Sequence, residues 1–243
     1  TEIRCKPRYD SSFISFNDKG YRGYISAIFE DSPAIIRLIN MVMLEDYLKG
    51  VLPAEIGDRT NDEYQAAKAQ AVAARTYAVW KLTESHGNGR LAPTVADQVY
   101  NGLDSEKESL NKAVDQTRGE IMTYNNHPIA AYYHAVCGGH TSPIQKVWPD
   151  KTPIPYLAGT DDKNYCKWAK SYSWKENFSL DDLKDNISKY FISKGSAQPG
   201  DFSQLIDIDF KTDEESKRVE RIDIITGIGV FTETCDKIRR VFG

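Results

Sequence analysis

Ala66-Ala67-Lys68-Ala69-Gln70-Ala71-Val72-Ala73-Ala74-Arg75, inside the breaker-free run from Tyr64 to Ser85, decides how this chain is built. Alanine has the highest intrinsic helix propensity, and its short side chain lets neighbouring elements come close. Thr60 and Glu63 have the spacing of a capping box ahead of the run, and Gly87 and Gly89 stop it. A helix that is apolar most of the way round sits inside a domain. The stretch therefore predicts a long central helix with other elements packed about it.

On the N-terminal side, Ser12–Phe16 and Tyr21–Phe29 are rich in aromatic and β-branched residues and flank Asn17-Asp18-Lys19-Gly20, a hairpin signal. Ala34 to Met43 continues as a dense apolar run. Leu44 and Leu48 then lie on one face of a short helix that Gly50 is expected to end. On the other side, Pro93–Tyr100 reads as a strand and Ser105–Thr117 as a helix. Gly119–Tyr124 and Pro128–His134 read as two strands joined at Asn125-Asn126, and 138–165 as a long loop. Beyond it come a helix over Ser179–Phe191, strands over Gln204–Phe210 and Val219–Thr226, and a terminal helix over Thr232–Phe242. The expected class is α+β: mixed sheets packed around the alanine-rich helix, residues 1–175 forming the core and 176–243 a peripheral α/β part.

With 243 residues, 40% hydrophobic and 27% charged, the chain has ordinary globular proportions. A formal net charge of −4 gives no basic footprint for nucleic-acid phosphates, so nucleic acid is set aside as a partner. No apolar run reaches the roughly 20 residues that cross a bilayer. The start at Thr1 is read as a processed or trimmed end, with any membrane anchor outside this sequence. Cys5, Cys137, Cys166 and Cys235 allow three disulfide pairings or metal ligation.

Three groups of residues carry possible chemistry. Glu55, in Gly50-Val51-Leu52-Pro53-Ala54-Glu55-Ile56, is a carboxylate among apolar neighbours after a proline turn, and burial there would raise its pKa as a general acid requires. A solvated turn residue is the competing reading. Lys68 and Arg75, two turns apart, project to one side of the central helix, either as a solvated stripe or as a polar wall where Gln70 or Arg75 bonds a sugar or orients Glu55. In His134-Ala135-Val136-Cys137-Gly138-Gly139-His140, imidazole and thiol recur every third residue, and Cys166 across the loop would complete four zinc ligands. The alternatives are a Cys137–Cys166 disulfide beside a packed histidine, a buried thiol, or a Cys137 nucleophile with His134 or His140 as base.

The run Leu44-Glu45-Asp46-Tyr47-Leu48-Lys49-Gly50-Val51-Leu52-Pro53-Ala54-Glu55, with Ala66 to Ala78 following, closely resembles the signature of the stage II sporulation protein D and LytB family. Gln98-Val99-Tyr100 with Gly102, Ala113-Val114 with Thr117-Arg118-Gly119, and Ala130-Ala131-Tyr132-Tyr133-His134 through Gly139 fit the same pattern in order. The resemblance implies a lytic transglycosylase of peptidoglycan, acting in engulfment on glycan strands that a stage II sporulation protein P-type amidase has denuded. It implies Glu55 as the catalytic acid, and an enzyme on the extracytoplasmic, membrane-anchored face of the wall. Gln70, Arg75, Tyr77, Gln98 and Tyr100 are expected to bind substrate. Some clostridial members hold zinc near this region, which implies a structural zinc on His134, Cys137, His140 and Cys166. The family's glycine-rich GHGxGMSQ segment does not occur in this sequence, and its loss would weaken glycan binding. A hydrolytic muramidase and a non-catalytic wall-binding enhancer of an amidase are the competing functions.

Overall fold

The computed structural model describes residues 2–9, 13–31, 33–59, 61–84 and 89–243. The chain divides into two compact units, Thr1–Tyr133 and His134–Gly243. Residues 134–175, read from the sequence with the N-terminal core, fall in the second.

In the first unit, strands β1 (Glu2–Cys5), β4 (Tyr24–Asp31) and β5 (Ala34–Met41) form one antiparallel sheet in the order β1-β4-β5. Between β1 and β4 the hairpin of β2 (Ile14–Phe16) and β3 (Lys19–Tyr21) turns at Asn17 and Asp18, whose φ angles of 49° and 60° suit the right-handed twist of a two-residue hairpin. The apolar run thus ends as a strand at Met41.

Helix α1 follows over Leu44–Ile56, two turns longer than expected, because it passes through both Gly50 and Pro53. A proline there removes a backbone donor and crowds the preceding turn. Burial outweighs that cost: Leu48, Val51 and Leu52 are fully enclosed. Gly50 is a packing residue. A Cβ at this position would lie 2.5 Å from Cε2 of Tyr100 and 3.2 Å from the Gly102 carbonyl oxygen. Gly50→Ala is accordingly expected to destabilise the first unit by about 1–3 kcal/mol, the usual cost of overpacking. Denaturant unfolding checks this, and an unchanged midpoint would mean that Tyr100 yields freely.

The alanine-rich helix α2 spans Tyr64–Glu84, and α3 spans Glu108–Gln116. Thr60 of the expected capping box lies outside the described residues. Ala67, Ala71, Ala74 and Ala78 line one side of α2 and bury it against Leu48, Val51 and Leu52 of α1 and Leu110, Ala113 and Val114 of α3. The central position of α2 holds, and its immediate partners are helices. The fold is α+β as read, and among the described residues every strand pairing is antiparallel rather than mixed. Residues 93–100 form turns and extended chain, not the expected strand. The carboxylate of Asp97 accepts the Ala92 N–H at 2.8 Å, closing a local loop in place of a ladder. The unit ends with a short hairpin, β6 (Thr123–Tyr124) and β7 (His127–Pro128), turning at Asn125 and Asn126 as expected but with much shorter strands.

The second unit begins with an irregular segment that includes the one-turn helix α4 (Ile144–Val147). Helix α5 (Leu180–Ser193) is capped by Ser179, which accepts the Asp182 N–H at 3.1 Å. Its Ile187 and Phe191 pack on Phe202, Ile222, Ile224 and Val241. Strands β8 (Leu205–Thr212), β9 (Val219–Thr226) and β10 (Gly229–Thr234) make an antiparallel meander. Residues 232–242 are not the expected helix: β10 runs to Thr234 and a 3₁₀ segment covers Cys235–Arg240. Phe231 and Glu233 both turn inward at strand spacing, and buried Glu233 accepts bonds from Tyr190 and Lys194, each at 2.6 Å. Lys146 pairs with Asp213 and Glu220, and Arg218 donates to the carbonyls of Cys137 and His140, so ion pairs and backbone bonds tie the irregular segment to the meander. Among the described residues no helix is long and apolar enough to cross a membrane.

Candidate functional site

Glu55 sits in the last turn of α1, half-buried. Pro53 is part of that helix, so the carboxyl is carried by regular structure and not by a turn. One of its oxygens accepts the Val99 N–H at 2.8 Å. The Tyr133 hydroxyl donates a second hydrogen bond to it. That hydroxyl in turn accepts from Nε2 of Gln98 at 3.0 Å, and the same nitrogen reaches the Ala74 carbonyl at 3.2 Å. Oε1 of Gln98 accepts from Tyr47 at 3.1 Å. The chain of donors is directional: α2 holds Gln98, Gln98 holds Tyr133, and Tyr133 holds Glu55.

Burial, followed by the charge of Glu55 and the bond to it, pushes the Tyr133 phenol up to about 12, against the opposing effect of Gln98. Burial likewise drives Tyr47 above the ordinary phenol range. Both phenols stay protonated donors at neutral pH. Sequence reasoning gave Tyr133 no role. The available signal was its place beside Tyr132: Tyr133 is half-buried, whereas Tyr132 is exposed beside Trp80 and Tyr77.

The expected substrate-binding residues separate into different environments. Arg75 is 1% exposed, and its guanidinium meets both oxygens of Glu45 at 2.9 and 2.8 Å. It also donates to the carbonyls of Val114 and Glu120. The polar wall is therefore corrected at this residue: Arg75 is an internal clamp between α1, α2 and the end of α3. Gln98 is fully buried and acts through Tyr133. Tyr77, 7% exposed, donates to Asp97 at 3.0 Å, and Lys81 reaches the same carboxylate at 2.9 Å. Burial would raise the Asp97 pKa, but these donors and the Ala92 N–H outweigh it and hold it below the usual range. Tyr100 packs on Tyr47 with ring centroids 5.2 Å apart and donates to Asn40 at 2.9 Å; burial pushes its phenol up to about 12. Gln70 is half-buried on α2, and its amide nitrogen is enclosed.

In the second unit the expected His134, Cys137, His140 and Cys166 set is corrected. Ligand atoms of Cys137, Asp162 and Cys166 lie within 4.8 Å of one another. Sγ of Cys137 is 3.0 Å from Oδ2 of Asp162 and 3.5 Å from Sγ of Cys166, and both cysteines are free thiols. His140 instead turns Nδ1 to the Thr141 carbonyl and Nε2 toward Glu215 at 3.6 Å, and His134 is exposed. Spacing by three promised a tetrahedron only if the segment were regular, and the positive φ angles of Gly138 and Gly139, 71° and 106°, turn the chain between the two histidines. Burial, then the Asp162 bond, pushes the Cys137 thiol up to about 11. Hydrogen bonds from the two thiols draw Asp162 down to about 2. Two sulfurs and a carboxylate at this separation suit a divalent ion of intermediate softness.

Fold and site together define an α+β protein whose first unit holds an oriented, half-buried carboxyl. Residues 34–124 match the SpoIID family, described as stage II sporulation protein, so the chain carries a SpoIID domain there. The chain is similar to an uncharacterised protein of Brachyspira hyodysenteriae, 35% identical over 182 residues, or 73% of this chain and 47% of the relative. An amidase enhancer of Bacillus subtilis is 37% identical over 163 residues, 66% of this chain and 22% of the relative. Stage II sporulation protein D of Bacillus subtilis is 30% identical over 165 residues, 61% and 47%. The chain spans about half or less of the length of these relatives.

Proposed function

We propose that this chain cleaves the glycan strands of peptidoglycan as a lytic transglycosylase, with Glu55 serving first as acid and then as base. The observation that carries the reading is a half-buried carboxyl at the end of α1, oriented by the Val99 N–H and by Tyr133. Of the acids near it, Asp97 is committed to Lys81, Tyr77 and Ala92, and Glu63 pairs with Arg59, while Asp58 and Asp62 are exposed to solvent. A hydrolytic muramidase needs two carboxyl groups about 5–9.5 Å apart. The intramolecular route needs only one.

Protonated Glu55 gives its proton to the oxygen linking N-acetylmuramic acid to N-acetylglucosamine, and the N-acetylglucosamine leaves as the alcohol. The Glu55 carboxylate then takes the proton of the muramic acid 6-hydroxyl as that oxygen bonds to C1. The product is a 1,6-anhydro end, no water is consumed, and Glu55 is reprotonated. In this reading the work is extracytoplasmic, at the wall face of a membrane-anchored protein during engulfment, on strands denuded by a stage II sporulation protein P-type amidase. Product masses from denuded strands test it. Anhydro ends support the lyase; ends that have gained water would replace it with a hydrolase.

Similarity to an amidase enhancer favours one second reading, a wall-binding module that stimulates an amidase without cutting glycan. It predicts a faster amidase and no sugar release in the same assay.

Zinc belongs in the proposal as a structural ion on Cys137, Asp162 and Cys166, in place of the set expected from the sequence. The ion would cross-link two turns of the irregular segment and take no part in the chemistry at Glu55. Protein purified without added metal is expected to carry about one zinc per chain, as structural thiolate sites do. Cys137→Ser should lose it, by elemental analysis. Loss of two hydrogens from the intact mass would instead indicate one disulfide, which peptide mapping would place at Cys137–Cys166 or elsewhere.

A further inference from the structure

Between the thiol cluster and α5 the chain reads Lys163-Asn164-Tyr165-Cys166-Lys167-Trp168-Ala169-Lys170-Ser171-Tyr172-Ser173-Trp174-Lys175. Four lysines are interspersed with four aromatic residues and no acid intervenes, in a chain whose formal net charge is −4. Trp168, Tyr165 and Trp174 are 81%, 78% and 73% exposed. All four lysines face solvent as well.

The segment is nevertheless wound and tied. Asp161 accepts the Lys163 N–H at 2.8 Å, and Asp162 accepts those of Asn164 and Cys166 at 2.7 and 3.2 Å. The Tyr172 hydroxyl donates to Asn164 at 3.1 Å, and successive turn bonds join Lys167 to Asn164 and Ala169 to Cys166. These bonds fix the backbone that carries Tyr165 and Trp168, and Trp174 follows two residues beyond Tyr172. Scattered exposed apolar residues need no explanation, but three large rings within ten residues, two of them on a tied loop and all interleaved with cations, mark a surface for a ligand with flat apolar faces and negative charge. The ordering cost of binding is already met in such a loop.

A muramic-acid-bearing glycan has both properties. The C–H faces of its pyranose rings are flat and apolar, and each muramic acid that has lost its peptide carries one lactyl carboxylate. We propose that Tyr165, Trp168 and Trp174, with the surrounding lysines, form a second binding platform for denuded glycan strands, the rings stacking on sugars and the ammonium groups meeting lactyl carboxylates. This rests on the reading of peptidoglycan glycan as the substrate but requires no cleavage at this loop.

The test uses the full chain carrying Glu55→Gln, so that binding is measured without turnover. Adding Trp168→Ala and Trp174→Ala is expected to lower affinity for denuded strands by roughly tenfold or more, as loss of aromatic anchors does. Replacing Lys163, Lys167, Lys170 and Lys175 by Gln should weaken binding and flatten its dependence on salt, whereas strands with esterified carboxyls should bind both forms alike. Thermal unfolding should be unchanged, since every altered side chain is exposed. Wild-type affinity in the tryptophan variant overturns the platform, as does tighter binding of a single-stranded DNA oligonucleotide than of glycan. If the tryptophan variant loses affinity while Glu55→Gln still cleaves, the platform stands and the catalytic reading falls; the reverse pattern removes the platform alone.

Discussion

Glu55→Gln is expected to lower cleavage of denuded glycan strands by about 10²–10⁴-fold, the range that one general acid–base group contributes. The amide keeps the size of the carboxyl, and its oxygen still accepts the Val99 N–H that now lies 2.8 Å from Glu55. Tyr133 also keeps an acceptor, so the donor chain from Ala74 through Gln98 survives. Only the transferable proton is lost. Because Glu55 is half-buried and its partners are a backbone N–H and a neutral phenol, stability should change little, by about 1 kcal/mol or less, the net value of an ordinary hydrogen bond. Sugar release followed by mass, with thermal unfolding in parallel, decides the matter. A variant that retains more than half of the wild-type rate would remove Glu55 from the mechanism. A chain with no glycan cleavage in either form, yet able to accelerate an amidase, would support the enhancer reading.

The sequence disclosed α2 because its signal is local: an alanine run needs no partner to be helical, and its lack of a polar face already says that it is enclosed. The two hairpin turns at Asn17-Asp18 and Asn125-Asn126 were legible for the same reason, since asparagine and aspartate tolerate the left-handed backbone there. What failed was decided at long range. Gly50 and Pro53 read as breakers until Tyr100, fifty residues on, packs on the glycine and the buried face of α1 outweighs the proline. Residues 93–100 have strand composition but no strand to pair with, and Asp97 closes them into turns. At the thiol cluster the sequence supplied Cys137 and Cys166 but could not rank Asp162 over the histidines, because only the path through Gly138 and Gly139 decides which side chains converge. Glu55 was visible through family resemblance, whereas Tyr133, its hydrogen-bond partner, becomes visible only when α2, the Gln98 segment and the end of the first unit are brought together.

Arg75 is the residue whose meaning changes most, and its replacement carries the largest expected loss of stability. Arg75→Met keeps the aliphatic stem but removes five donors. Glu45, with a side chain only 13% exposed, is left without its bidentate partner, and the Val114 and Glu120 carbonyls lose a bond each. Removing one member of a buried pair leaves the other charge uncompensated and costs about 3–5 kcal/mol. Denaturant unfolding of the first unit should show this loss. Pairing the change with Glu45→Gln should recover much of it, because the stranded charge is gone. The acid limb follows from the same pair. Burial alone would raise the Glu45 carboxyl, but the Arg75 hydrogen bonds and charge outweigh it, so its folded pKa lies below the unfolded one. The stabilisation is therefore complete above the unfolded carboxyl value of about 4.3 and is lost as pH falls through the lower folded value. Glu45→Gln should remove that dependence. Were Arg75 a sugar contact, as its place among the polar residues of α2 suggested, Arg75→Met would weaken glycan binding and leave unfolding almost unchanged; the buried clamp predicts the opposite, with the stability loss present in the absence of any glycan.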